Sequence, residues 1–108
     1  MVSEITATDL KKRLDSGDKV VILDVREPHE LAICSLANTA HIPLGELPAR
    51  ISEIEPYKET EIIVYCRSGK RSERAAQFLS ESGFKSAVNL SGGILAWSDE
   101  VDPTVAKY

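Results

Sequence analysis

Two runs of apolar residues constrain this chain more than any other feature in it. Val20-Val21-Ile22-Leu23, extended to Val25 across a single interruption at Asp24, is nearly continuous, and so is Ile62-Ile63-Val64-Tyr65. A half-exposed strand would alternate with polar residues. An unbroken run of this length is what a strand buried on both faces uses, and such strands belong to parallel sheets. The segments between and after them show helical spacing. Thr8 predicts the N-cap of a helix from Asp9 to about Asp15, with Leu10 and Leu14 on one face and Gly17 as the stop. Leu47, Ile51 and Ile54 predict a second amphipathic helix over 46–55. Ala75, Ala76, Phe78 and Leu79 predict a third over 72–82, closed by Gly83. Short strands are expected over 40–44, ended by Pro43, and over 87–90, and Gly92-Gly93 opens a last segment ending near Trp97. Strands alternating with helices predict an α/β domain built on a mainly parallel, five-stranded sheet with helices on both faces.

The length of 108 residues predicts one domain over 1–108. A chain of this size buries roughly 60–70% of the surface its unfolded form exposes, enough for one core without staples. The net charge of −4 and the pI near 5.2 argue against nucleic acid as a partner of the whole surface. They leave room for a locally positive cleft, because the field there depends on a few nearby charges. No signal peptide or membrane span is read in the polar first ten residues, which makes the cytosol the expected compartment. The two cysteines, Cys34 and Cys66, are too few for a disulfide framework and match no zinc spacing, so no metal is expected. In the cytosol a cysteine is more often a working thiol than half of a bridge.

The chemistry concentrates in Tyr65-Cys66-Arg67-Ser68-Gly69-Lys70-Arg71-Ser72. This stretch lies between a buried strand and an amphipathic helix, so Cys66 falls at the carboxyl end of a strand, where open α/β sheets place their ligands. Gly69 permits the backbone angles of a tight turn, and such a turn above a helix N-terminus makes an anion-binding nest of N–H groups. Arg67, Lys70 and Arg71 add positive charge. Surroundings of this kind lower a cysteine pKa from about 8.5 to roughly 3.5–7.5, and the thiolate is the nucleophilic form. The blander alternative is a buried strand-end cysteine beside a solvated basic loop. Cysteine phosphatases share the layout but use Cys-x5-Arg; here Arg71 gives Cys-x4-Arg and position 72 is serine. The tighter loop suits a single bound sulfur atom better than a phosphoryl group, which disfavours a phosphatase or arsenate reductase.

At this point the sequence resembles the rhodanese family over essentially its whole length. The resemblance rests on Leu23-Asp24-Val25-Arg26-Glu27, Ile42-Pro43, the Cys66–Ser72 loop and Gly92-Gly93-Ile94-Leu95-Ala96-Trp97, four matches in order. It implies an active loop of six residues, Cys66 to Arg71, and no metal or organic cofactor. It also implies that Cys66 takes the outer sulfur of thiosulfate, or of a protein persulfide, releases sulfite or the donor thiol, and passes the sulfur to a thiol, cyanide or sulfur-carrier protein. Many rhodaneses carry Gly-His-Ile-x-Gly-Ala before the Ile-Pro pair, where this chain has Cys34-Ser35-Leu36-Ala37-Asn38-Thr39. That variant, with Ile33-Cys34 and the ending Asp102-Pro103 to Tyr108, is similar to the rhodanese module at the C-terminus of ubiquitin-activating-like sulfurtransferases. This similarity implies a role in forming the thiocarboxylate of a small carrier, in molybdopterin, thiamin or tRNA thiolation.

The remaining candidates each have two readings. Asp24 interrupts an apolar strand and needs polar partners, either supporting the active loop or pairing with Arg26. Arg26 either reaches the mouth of the site or pairs with Glu27 or Glu30. Arg71 is the loop cation expected to touch substrate, against the alternative of solvated charge. Ser68 and Ser72 offer hydroxyls to a bound sulfur, and Ser72 equally suits a helix start. Cys34 is expected to be a small buried residue rather than a resolving thiol. Trp97 is expected in the core, and His29 and His41 have no assigned role. Two functional classes follow: a sulfurtransferase, or a persulfide-bearing interaction module docked on a carrier protein.

Overall fold

A computed structural model describes residues 2–108. Five strands form one sheet: β1 (Ser3–Ile5), β2 (Val21–Asp24), β3 (Ala40–His41), β4 (Glu61–Tyr65) and β5 (Ser86–Leu90), in the order β1-β5-β4-β2-β3 with every pair parallel. The two apolar runs pair with each other, Val21 to Asp24 against Ile62 to Tyr65, and make the centre of the sheet. The helices are α1 (Ala7–Asp15), α2 (Pro28–Leu31), α3 (Leu47–Arg50), α4 (Lys70–Glu81) and α5 (Gly93–Glu100).

Period-two alternation sorts the strand side chains into two cores. Leu23, Val25, Ile62, Val64 and Cys66 face Leu47, Ile54, Ala75, Ala76 and Leu79 of α3, its 3-10 extension and α4. Ile22, Ile63, Tyr65, Val88 and Leu90 face Ala7, Leu10, Ile94 and Trp97 of α1 and α5. Helices thus cover both faces, as the unbroken runs require. Trp97 is core, as expected.

Three local expectations are corrected. The cap of α1 is Thr6, whose Oγ1 accepts from Asp9 N–H at 3.2 Å; Thr8 already lies inside the first turn. The continuous helix expected over 46–55 is instead a 3-10 turn (Leu44–Glu46), the short α3, and a 3-10 helix (Ile51–Tyr57). Pro48 near the start of α3 and Pro56 in the 3-10 segment remove backbone donors, while Leu47 and Ile54 still reach the core. The helix expected from residue 72 begins at Lys70, so Ser72 is its third residue rather than its cap.

Candidate active site

Cys66 follows the central strand directly. Gly69 takes φ +104° as the N-cap of α4, which compresses the loop proper into Cys66–Gly69 and puts Lys70 and Arg71 in the first helical turn. The chain therefore turns back over the sulfur. Cys66 Sγ accepts from Gly69 N–H at 3.1 Å and from Ser72 N–H at 3.4 Å, with Ser72 Oγ also at 3.4 Å. Cys66 is only 1% exposed, and that burial alone pushes its thiol up. The Ser72 hydroxyl and the N–H groups of Ser72, Gly69 and Ser68 outweigh burial and hold the thiol below its ordinary value. The expected nest is formed by backbone groups at the N-terminus of a twelve-residue helix.

Ser72 has one hydroxyl proton and two acceptors, since Asn89 Oδ1 stands 2.5 Å from its Oγ. Asn89 Nδ2 donates to Gly69 O at 3.1 Å, so this buried amide ties the start of α4, from Gly69 to Ser72, to β5. A second tie comes from α5, where Ile94 N–H donates to Cys66 O at 2.9 Å and Leu95 N–H to Arg67 O at 3.1 Å. The Gly92-Gly93 pair makes this approach possible, with φ +77° and +60°.

Asp24 and Arg26 are both 0% exposed and pair with each other. Asp24 Oδ2 accepts from Arg26 Nη2 at 2.7 Å and from Tyr65 Oη–H at 2.7 Å, and Oδ1 accepts from Arg26 N–H at 2.9 Å. The remaining guanidinium donors go to Cys34 O at 2.8 Å and the Tyr108 hydroxyl at 3.1 Å. Arg26 therefore does not reach the mouth. Asp24 shares a sheet face with Ile22, Ile63 and Tyr65, and Cys66 belongs to the other. Asp24 and Arg26 instead brace the strand ends from which the loop departs. Cys34 lies against Arg26 on that same face, as a half-buried free thiol.

The loop cations are not equivalent. Arg71 donates to both carboxylate oxygens of Glu30, at 2.7 and 2.8 Å, so its guanidinium is held by α2. Glu30 is buried and also accepts from Glu27 N–H at 2.8 Å and from Tyr108 Oη–H at 2.8 Å. Arg71 first, with these donors, lowers its carboxyl to about 2. Arg67 lies 5.2 Å from the Tyr108 ring centroid and donates from Nε and Nη2 to the Tyr108 main-chain oxygen. Arg67, Ser68 and Lys70 are exposed around the loop, and among the described residues Lys70 has no ion-pair partner. Glu30, Asn89 and Tyr108 are the members of this site that sequence spacing did not single out. A cleft lined by Leu14, Val20, Leu36 and Trp97 does not include Cys66.

A model of the rhodanese-like domain matches residues 6–100. The chain belongs to the rhodanese-like family. It is 38% identical over 98% of its length to a sulfurtransferase of Allochromatium vinosum, covering 97% of that protein. It is also 38% identical to the adenylyltransferase and sulfurtransferase MOCS3-1 of Zea mays, over 98% of this chain but 24% of that one. Among solved structures, the rhodanese-related protein of Thermoplasma volcanium superposes with a TM-score of 0.82 at 36% identity, covering 98% of this chain and 99% of that one. The rhodanese-like architecture thus agrees with the five-stranded parallel sheet seen here, and both single-domain and fused relatives share it.

Proposed function

We propose that this sulfurtransferase-type domain moves a sulfane sulfur from thiosulfate or a persulfide donor to a nucleophilic acceptor through a Cys66 persulfide. The observation that carries this reading is the convergence of Gly69 N–H, Ser72 N–H and the Ser72 hydroxyl on one buried sulfur. Those donors favour thiolate over thiol, and the thiolate attacks the outer sulfur of the donor. With thiosulfate, an S–S bond forms at Cys66 as the donor S–S bond breaks, and sulfite leaves with the electron pair. The terminal sulfur of the persulfide carries the negative charge beside the positive N-terminal end of α4, so the loop stabilises the intermediate as well as the nucleophile. In the second half, an acceptor nucleophile takes that terminal sulfur and returns Cys66 to thiolate. No proton needs to pass through a side-chain base. His41 instead bonds Arg26 O at 2.7 Å.

Cys34 and Cys66 are both free thiols, which suits a reducing cytosolic setting. Transfer measured with thiosulfate or a persulfide donor and cyanide as acceptor tests the assignment: Cys66→Ala must abolish it, and transfer by that variant at the normal rate ends the proposal. The likeness to the fused Zea mays protein favours a second reading, in which the persulfide serves a sulfur-carrier protein. Saturable binding of a ubiquitin-like carrier with negligible turnover of free thiosulfate supports it, and absence of binding removes it.

A further inference from the structure

Thiosulfate is a dianion and must approach a thiolate, so its use depends on positive charge at the loop mouth. The sequence offers four arginines and lysines there, but the fold neutralises two of them, Arg26 and Arg71. Arg26 is buried against Asp24. Arg71 is held in a two-pronged pair by Glu30, whose side chain is 7% exposed and anchored further by Glu27 N–H and the Tyr108 hydroxyl. Arg67 spends two of its donors on the Tyr108 main chain. Among the described residues, Arg67 and Lys70 stand exposed at the loop without an ion-pair partner, whereas Arg71 is neutralised by Glu30. A bidentate guanidinium–carboxylate pair leaves neither the charge nor the paired donors for a second anion.

We infer that Glu30 is a specificity-determining residue: by holding Arg71 it turns the loop away from thiosulfate and toward a persulfide donor, R–S–S⁻. This rests on the sulfur-transfer reading of Cys66 above. The step is Cys66–S⁻ + R–S–S⁻ → Cys66–S–S⁻ + R–S⁻. The bond to the outer sulfur forms at Cys66, the donor S–S bond breaks, and R–S⁻ leaves with the electron pair. Total charge and oxidation level are unchanged and no further reactant is required. The donor carries one negative charge rather than two, so it depends less on the charge that Glu30 withdraws from Arg71. The departing group is a thiolate rather than sulfite, so no subsite for a sulfonate-like oxyanion is needed.

The test compares kcat/KM for thiosulfate with that for glutathione persulfide, in the unmodified chain, Glu30→Gln and Glu30→Gln/Arg71→Met. Glu30→Gln releases Arg71, and the thiosulfate-to-persulfide ratio of kcat/KM is expected to rise about tenfold, the order of one added charge-assisted contact to an anion. Removing Arg71 in the double variant must erase that rise. A ratio unchanged or lowered in folded Glu30→Gln overturns the inference, as does a rise that survives in the double variant. Failure of both donors to load Cys66 in the unmodified chain refutes the sulfur-transfer reading itself, a result distinct from either of these.

Discussion

Gly93→Ala tests how the far end of the chain holds the active loop. Gly93 has φ +60°, and a Cβ built on it stands 2.4 Å from Arg67 O and 2.6 Å from both Arg67 C and Cys66 O. These are main-chain atoms, so no side chain can swing aside. Ordinary carbon–oxygen contacts begin near 3.3 Å, so α5 and the loop must separate by roughly 0.9 Å. The left-handed conformation costs alanine about 1–2 kcal/mol. Forcing a methyl into a packed site adds about 1–3 kcal/mol, for a total of about 2–5 kcal/mol. At about 4 °C or more per kcal/mol for a domain of this size, the melting temperature falls by at least about 8 °C. The separation strains the bonds from Ile94 and Leu95 to the Cys66 and Arg67 carbonyls and shifts Sγ from its donors. A misplacement near 1 Å costs about 100-fold in rate, and the pH profile of Cys66 alkylation moves upward as the donors part. Calorimetry, persulfide-transfer kinetics and alkylation with iodoacetamide across pH read these effects. Gly45→Ala serves as the control, because nothing lies within 4 Å of its added Cβ and its φ is not positive. Transfer within about threefold of normal in Gly93→Ala, with melting within about 2 °C, would refute the argument that this turn fixes the loop.

Asp24→Ala strands the wholly buried Arg26 guanidinium and the Tyr65 hydroxyl, so the urea-unfolding free energy should fall by about 3–5 kcal/mol; a loss under about 1 kcal/mol contradicts the bracing role. Ser72→Ala removes one donor from the sulfur while keeping the Ser72 main-chain contact. The thiol of folded Cys66 lies below its ordinary value, so reactivity is present above that folded value and lost as pH falls through it. Ser72→Ala should shift the profile to higher pH and slow alkylation severalfold at neutral pH; a profile unmoved or shifted downward shows that the hydroxyl proton stays with Asn89.

How much of this was legible in sequence follows from the range of each interaction. The central strands were, because an unbroken apolar run has few uses outside a parallel sheet, and Val21–Asp24 indeed pairs with Ile62–Tyr65. The nest around Cys66 was legible because Gly69, the strand before it and the helix after it are contiguous. The cap of α1 was misplaced by two residues because Thr6 and Thr8 are chemically alike and only the geometry at Asp9 N–H separates them. β1 carries two exposed residues in three and α2 is a single turn, so neither leaves a periodic signal. The sequence leaves Arg26 between mouth and pairing; its partner is Asp24, because the two side chains, two positions apart, both lie against Tyr65. Arg71 was expected to touch substrate, yet it is held by Glu30, 41 positions earlier in the chain. Only the parallel alignment of β2 with β4 brings those segments together, and no local spacing encodes it.

The central claim is that Cys66 carries the sulfur. Intact mass after incubation with thiosulfate, and separately with glutathione persulfide, followed by removal of excess donor, tests it most directly. The account predicts one added sulfur atom on the unmodified chain with at least one donor, removable by a thiol reductant and absent in Cys66→Ala. An adduct that persists in Cys66→Ala, or none with either donor on the folded unmodified chain, would contradict it.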